Sequence, residues 1–290
     1  MKVGVVFPQT ELGGDVGAVR AYAARVEELG FSHVLAYDHV VGADPQVHQG
    51  WNGPYDLSTT FDEPFVLFGY LAAITTSLEL VTGVIILPQR QAVLVAKQAA
   101  EVDLLSGGRL RLGVGLGWNA VEYEALGTDF GNRGARMEEQ IEVLRALWTQ
   151  RSVTFDGRFH RITGAGIAPL PVQRPIPVWI GAQSPPAYRR VGRLADGWFP
   201  QIGPGPDFDA AFEQVRQAAA EVGRDPNDIG IDGRVPWQGN GEAIIDGIRA
   251  WAGAGATHVS INTMGRGFRS VDEHLAALET AARAAKDAAT

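Results

Sequence analysis

Short continuous apolar runs alternate along the chain with longer stretches whose apolar residues recur every three to four positions. The first pattern predicts buried strands and the second amphipathic helices. Strands are expected at KVGVVF (2–7), SHVLAYD (32–38), LELVTGVIIL (78–87), RLRLGVG (109–115), PVWIGA (177–182), DGWFP (196–200), DIGIDGRV (228–235) and THVSIN (257–262). Helices are expected over 14–30, 62–76, 92–106 and 133–150, then near 185–195, 206–222, 240–253 and 271–287. Asp15 stands near the start of the first helix and Gly30 at its stop, while Gly107-Gly108 ends the third. The segment VTFDGRFHRI (153–162) predicts a hairpin turning at Asp156-Gly157. A long loop through Trp51 and Tyr55 follows the second strand.

Eight strands, each followed by a helix, predict an α/β fold: a TIM-type (β/α)8 barrel with loop insertions at its C-terminal face. A doubly wound sheet is the competing arrangement, but the count of eight comes out without forcing. No linker, low-complexity tract or short repeat divides the chain, so residues 1–290 are expected to form a single barrel domain.

Charge and composition remove several functions. The net charge is −8 and no basic cluster appears, which argues against nucleic acid as a partner. Cysteine is absent, so disulfides, thiolate nucleophiles and cysteine-held metals are excluded. No segment has the length of a membrane span, and the start MKVGVVFPQT does not look like a secretory signal. A cytoplasmic enzyme acting on a small molecule is expected, with no membrane partner.

In such barrels chemistry sits at the C-terminal strand ends. Schiff-base catalysis needs a lysine there, but Lys2 lies at the wrong end of its strand, and Lys97 and Lys286 fall on helices. Metal-assisted hydrolysis needs clustered ligands, but the six histidines are scattered, and only His39 sits at a strand end. No metal site is expected. Ser184 lacks the elbow of a serine hydrolase. Glycoside hydrolysis needs two carboxylates, and only Asp38 qualifies. What remains is one His, one Asp, many glycines and the tryptophans Trp51, Trp118, Trp198 and Trp237. That set suits a large flat cofactor that brings its own reactivity.

Each candidate has two readings at this point. His39 is either an acid–base group or a histidine hydrogen-bonded at the rim. Gly83, inside an apolar strand, marks either a bulge or close packing. The turn Gly181-Ala182-Gln183-Ser184 leads into a helix whose free amides favour a phosphate, or else Ser184 is an ordinary N-cap ahead of Pro185. The glycines of GRLRLGVGLGWN (108–119) are spaced G-x-G-x-G, which does not fit the dinucleotide turn.

These strings carry a resemblance. GRLRLGVGLGWNAVEYEALGTDFGNRGARMEEQIEVLRALW (108–148), ELGFSHVLAYDHV (28–40), PVWIGAQSPPAYRRVGRLADGWFP (177–200) and GATHVSINTMGRG (255–267) resemble the bacterial luciferase-like flavin and deazaflavin oxidoreductases. Within that superfamily the chain is most similar to the group using the deazaflavin coenzyme F420. The resemblance implies a proton donor or acceptor at His39, with Asp38 orienting it. It implies a strand-three bulge, often with a cis peptide, at Gly83-Val84. It implies contacts to the cofactor ring at Gly115, Gly117 and Trp118, and a phosphate turn at Gly181, Ala182, Gln183 and Ser184. Hydride transfer between F420 and a small organic substrate is the implied reaction. The alternatives are a monooxygenase using reduced FMN and dioxygen, or a flavin-binding relative without catalysis. Pro8, Gln9, Trp51, Gln201 and Trp237 are the expected substrate wall. Sugar-phosphate dehydrogenases of the family carry a catalytic Glu where this chain has Trp118, and they use lysines that are lacking here. A neutral, apolar or aromatic substrate is therefore expected. The family also implies a homodimer.

Overall fold

The computed structural model describes residues 1–12 and 14–288. Eight parallel staves close into a barrel: β1 (Lys2–Val6), β2 (His33–Ala36), β3 (Glu79–Thr82) with its continuation β4 (Ile85–Ile86), β5 (Leu110–Gly115), β8 (Val178–Ala182), β9 (Gly197–Pro200), β10 (Gly230–Pro236) and β11 (His258–Asn262). Each stave pairs with its neighbours, and β11 returns to β1 while β3 joins β5, so no edge is left open. A separate antiparallel hairpin is formed by β6 (Val153–Asp156) and β7 (Arg161–Ala165).

The helices are α1 (Val16–Glu28), α2 (Pro64–Ile74), α3 (Ala92–Ser106), α4 (Ala120–Ala125), α5 (Arg133–Thr149), α6 (Pro185–Leu194), α7 (Pro206–Glu221), α8 (Gly241–Gly253) and α9 (Val271–Ala288). All eight expected helices form within two residues of their predicted ends. Local chemistry accounts for the boundaries. Asp15 caps α1 by accepting the amides of Gly17 and Ala18. Gly107 ends α3 at φ 71°, a left-handed conformation that glycine adopts without a Cβ clash.

The core has two parts. The larger lies between the staves and the helices. The smaller fills the lumen with Val6, Leu35, Val81, Trp179 and Phe199. Beneath it, His33, Arg111, Asp232 and Ser260 form a buried polar floor. Gly4 makes room for the His33 ring, and Gly197 and Gly230 make room for Trp179. The lumen is therefore plugged, and only the upper rim can receive a ligand.

Two details differ from the sequence reading. The hairpin turns over residues 157–160 rather than at Asp156-Gly157, because Glu139 accepts the amides of Arg158, Phe159 and His160 and holds a four-residue loop open. The six-residue α4 was not expected, being too short to show a helical period. Among the described residues, no helix is long and apolar enough to cross a membrane.

Candidate active site

The stave ends open into a cavity of about 430 Å³. Asp38, His39, Gly83, Val84, Gly115, Gly117, Trp118, Gly181, Ala182, Gln183, Ser184 and Gln201 all line it, as the sequence reading expects. Pro8, Gln9, Trp51 and Trp237 do not, and each has another occupation. The Pro8 carbonyl accepts the amides of Glu11 and Leu12 at the turn after β1. Gln9 is buried, donating to the Tyr37 carbonyl and accepting the Tyr37 amide, which clamps β1 to β2. Trp51 leans on Trp118 with ring centroids 5.7 Å apart and donates to the Tyr55 carbonyl. Trp237 is buried at the end of β10, its amide on the Asn262 carbonyl.

The third stave carries the bulge. Val81 faces Arg111 and Ile85 faces Val114, so four residues advance on one strand against three on the other. The Gly83–Val84 peptide within it is cis. Val84 projects toward β5 and β8, where a Cβ on Gly115 would lie 2.5 Å from its Cγ2, and one on Gly181 3.2 Å from its Cγ1. Gly117 has φ +65°, and a Cβ there would lie 2.8 Å from Ile86. These glycines therefore admit the side chains of the bulge, and the bulge in turn forms one wall of the cavity.

His39 sits among Phe61, Tyr55 and Trp118, with ring centroids 4.7, 5.1 and 5.6 Å away. Its Nδ1 lies 3.4 Å from Oε2 of Glu122, a residue of α4. Asn119 caps that short helix through the amides of Val121 and Glu122. The Glu122 carboxylate also accepts the amides of Val40 and Val41 and the side-chain amide of Gln89. Burial works to raise the Glu122 carboxyl, but His39 and these donors outweigh it, and the net shift is downward. An ionised carboxylate can only accept, so the Nδ1 that faces it is the nitrogen that carries a proton.

Asp38 therefore does not orient His39. Its carboxylate receives Nη2 of Arg90 at 2.7 Å and the Ile86 amide at 2.9 Å. Burial raises this carboxyl, and Arg90 opposes the rise. Asp38 ties the second stave to the third and fixes the bulge from below, while Arg90 reaches on to Glu63 at 2.7 Å. Glu122 lies in the helix after a strand end, beyond the positions where such barrels place their chemistry. The spacing Asn119-x-x-Glu122, that of a capping pair, is the signal that marks it.

The phosphate turn also differs in detail. Pro185 and Pro186 carry no amide hydrogen, and the Ala187 and Tyr188 amides both bond to the Ser184 carbonyl. The start of α6 thus offers none of its first four donors. Ser184 stands at the cap position, yet its hydroxyl makes no cap bond. Cationic side chains take the place of the helix amides. Arg190 is held through Nε by Glu138 at 2.9 Å and lines the cavity. Arg133 lies over the Phe130 ring at 3.7 Å, lines the same wall, and has a buried Nε without a partner. Two guanidiniums, an unused hydroxyl and a wall of glycines beside the bulge fit a ring bearing a phosphate.

A family model described as luciferase-like monooxygenase matches residues 1–289. The chain belongs to the luciferase-like monooxygenase family. An uncharacterized protein of Mycobacterium tuberculosis is 32% identical over 274 residues, covering 91% of this chain and 93% of its own length. An F420-dependent glucose-6-phosphate dehydrogenase of Nocardia farcinica is 31% identical over 242 residues, covering 79% of this chain and 68% of its own. Among solved structures, an F420-dependent secondary alcohol dehydrogenase in complex with an F420-acetone adduct superposes with a TM-score of 0.80 at 16% identity, covering 98% of both chains. At that identity the superposition speaks for the fold. This luciferase-like chain is accordingly an enzyme of the oxidoreductase class, built on the barrel of its F420-dependent relatives.

Proposed function

We propose that this luciferase-like enzyme is an F420-dependent oxidoreductase whose proton-handling residue is His39. When bound, the deazaflavin would supply hydride exchange with a small organic substrate. Arg133, Arg190, Ser184 and Gln183 would hold its phosphate, and the wall formed by Val84, Gly115 and Gly181 would back its ring. The observation that carries the reading is His39, backed by the buried Glu122, lining the same cavity as the bulge and the two arginines. Glu122 keeps Nδ1 protonated, so Nε2 accepts a proton in one direction of the reaction and returns it in the other. The aromatic side chains around His39 limit water at that nitrogen.

The family description supports a second reading, a monooxygenase using reduced FMN. Both cofactors present a tricyclic ring and a phosphate. Fluorescence titration with F420 and FMN side by side separates them: F420 is expected to bind at least tenfold more tightly. Tighter FMN binding overturns the assignment. Given F420 binding, turnover that survives His39→Ala undiminished overturns the role of His39. The Trp118 position and the scarcity of lysine argue against sugar phosphate as substrate. A homodimer is proposed from the family alone.

A further inference from the structure

The opposite side of the cavity holds a cation that the reading above does not use. Arg234 rises from β10 and lines the cavity. Its Nη1 donates to the Tyr37 hydroxyl at 2.7 Å, and its guanidinium carbon lies 5.1 Å from the centre of the Tyr37 ring. Nε is buried without a hydrogen-bond partner, and Nη2 donates to no protein group among the described residues. The nearest acid along the strand, Asp232, is already engaged: Oδ2 meets Arg111 at 2.9 Å and His33 at 3.3 Å, and Oδ1 accepts from Ser260. Arg234 is thus a guanidinium without a carboxylate, locked by Tyr37 with its Nε–Nη2 edge unpaired. Of that edge Nη2 is not among the buried atoms, and it leaves a charged donor for one carboxylate oxygen at the cavity wall.

The barrel order says whose carboxylate this is. The bulge lies on the third stave, and the arginines of the phosphate wall stand beyond the fourth and fifth, β5 and β8. Arg234 is on the seventh, directly across the ring from the bulge, with Gln201 beside it after the sixth. A cofactor with its ring on the bulge and its phosphate at Arg133 and Arg190 leaves this half of the cavity to the substrate.

We infer that the substrate is an organic acid whose carboxylate is received by Arg234. This deepens the F420 reading and rests on it for which side the cofactor takes. It replaces the neutral substrate expected from the tryptophan-rich mouth: the mouth is aromatic, but its far wall carries an unpaired cation.

The test uses benzoate and its neutral counterpart benzamide, titrated calorimetrically into apo and F420-loaded protein. The expected result is saturable benzoate binding with benzamide at least tenfold weaker. Arg234→Gln should weaken benzoate roughly ten- to a hundredfold, the span for losing a charged hydrogen bond. Arg234→Lys should keep part of the affinity, and F420 affinity should stay within twofold in both variants. Equal binding of the two probes, or no benzoate binding in either form, overturns the proposal. So does a tenfold loss of F420 affinity in Arg234→Gln with benzoate unaffected, which would give the guanidinium to the cofactor. If F420 fails to bind wild-type protein, the F420 reading falls, and the apo titrations still decide the carboxylate site.

Discussion

In the proposed function, one proton separates the useful state of His39 from the idle one. An ionised Glu122 at 3.4 Å from Nδ1 fixes the tautomer in which Nε2 is free. Glu122→Gln removes that preference, because an amide can donate as well as accept. The expected outcome is a mixture of His39 tautomers, read from the imidazole nitrogens by NMR, where the wild type shows Nδ1–H alone. Turnover should fall about a hundredfold, toward the loss of a general acid–base group, and the pH–rate profile should change shape. F420 affinity should hold, since Glu122 lies behind His39. A single pure tautomer in the variant would remove Glu122 from the mechanism. The glycines of the rim make a separate prediction. Gly115→Ala drives a methyl to 2.5 Å from Val84 and is expected to cost about 1–3 kcal/mol by overpacking. Adding Val84→Ala should recover most of that in urea melts, a coupling that a ligand-only role for Gly115 would not produce. His39 and the glycines were legible in the sequence because strand ends are where such barrels put their chemistry. Glu122, Arg133, Arg190 and Arg234 were not. The first three stand on helices, while Arg234 stands near the end of the seventh strand, where the strand-end rule reaches it but nothing in the sequence marks it as facing the cavity.

At the level of elements, the predicted helices formed because their apolar faces meet the barrel, and Asp15, Glu63 and Asn240 cap α1, α2 and α8. What the pattern could not show is how neighbouring elements are pinned to one another. Arg109, at the start of the fourth stave, joins the ends of α2 and α3: Nε donates to the Ser106 carbonyl, Nη1 to Thr75 Oγ1 and the Leu78 carbonyl, and Nη2 to the Thr75 and Ala72 carbonyls. Orphan carbonyls at helix C-termini favour a cation, and the planar fork reaches several at once. Arg109→Lys keeps the charge but offers three donors from one nitrogen. It is expected to cost at least about 2 kcal/mol, a melting temperature lower by several degrees, with F420 affinity unchanged because the site lies at the other end of the barrel. A variant as stable as the wild type would show that charge alone suffices there. Glu27 acts similarly where α1 meets the loop before β3, accepting the amides of Thr76, Ser77 and Leu78. Such side-chain-to-backbone ties join residues far apart in sequence, so only the folded chain reveals them.

For the whole molecule, buried histidines set the response to acid. His274 is fully buried, with Nδ1 on Thr263, Nε2 unpartnered and Phe268 edge-on at 5.0 Å. Burial pushes it down to about 4, against a weaker pull from Glu273. His258, at the barrel floor, is pushed down to about 3, by burial first and then by Arg111, with Asp232 opposing. A histidine lowered in the folded state is neutral there at a pH where the unfolded chain binds a proton. Unfolding then takes up protons, so stability falls as the pH drops from about 6.5 toward the folded values. Each group adds a slope of up to about 1.4 kcal/mol per pH unit in that window. The lowered carboxylates Glu27, Glu122, Glu139 and Asp232 change stability in the same direction, but only below about 4.5, where unfolded carboxylates begin to protonate. Asp38 and Asp62, raised by burial, act in the opposite sense, from the usual Asp range upward. Between pH 6.5 and 5 the difference between the wild type and a variant lacking one histidine isolates that histidine. Urea melts across that interval should show the wild type losing more stability than His274→Gln, by up to about 1.4 kcal/mol per pH unit. A slope unchanged in the variant would mean that His274 is already protonated inside the fold, with Nε2 donating to a group that the buried geometry does not supply.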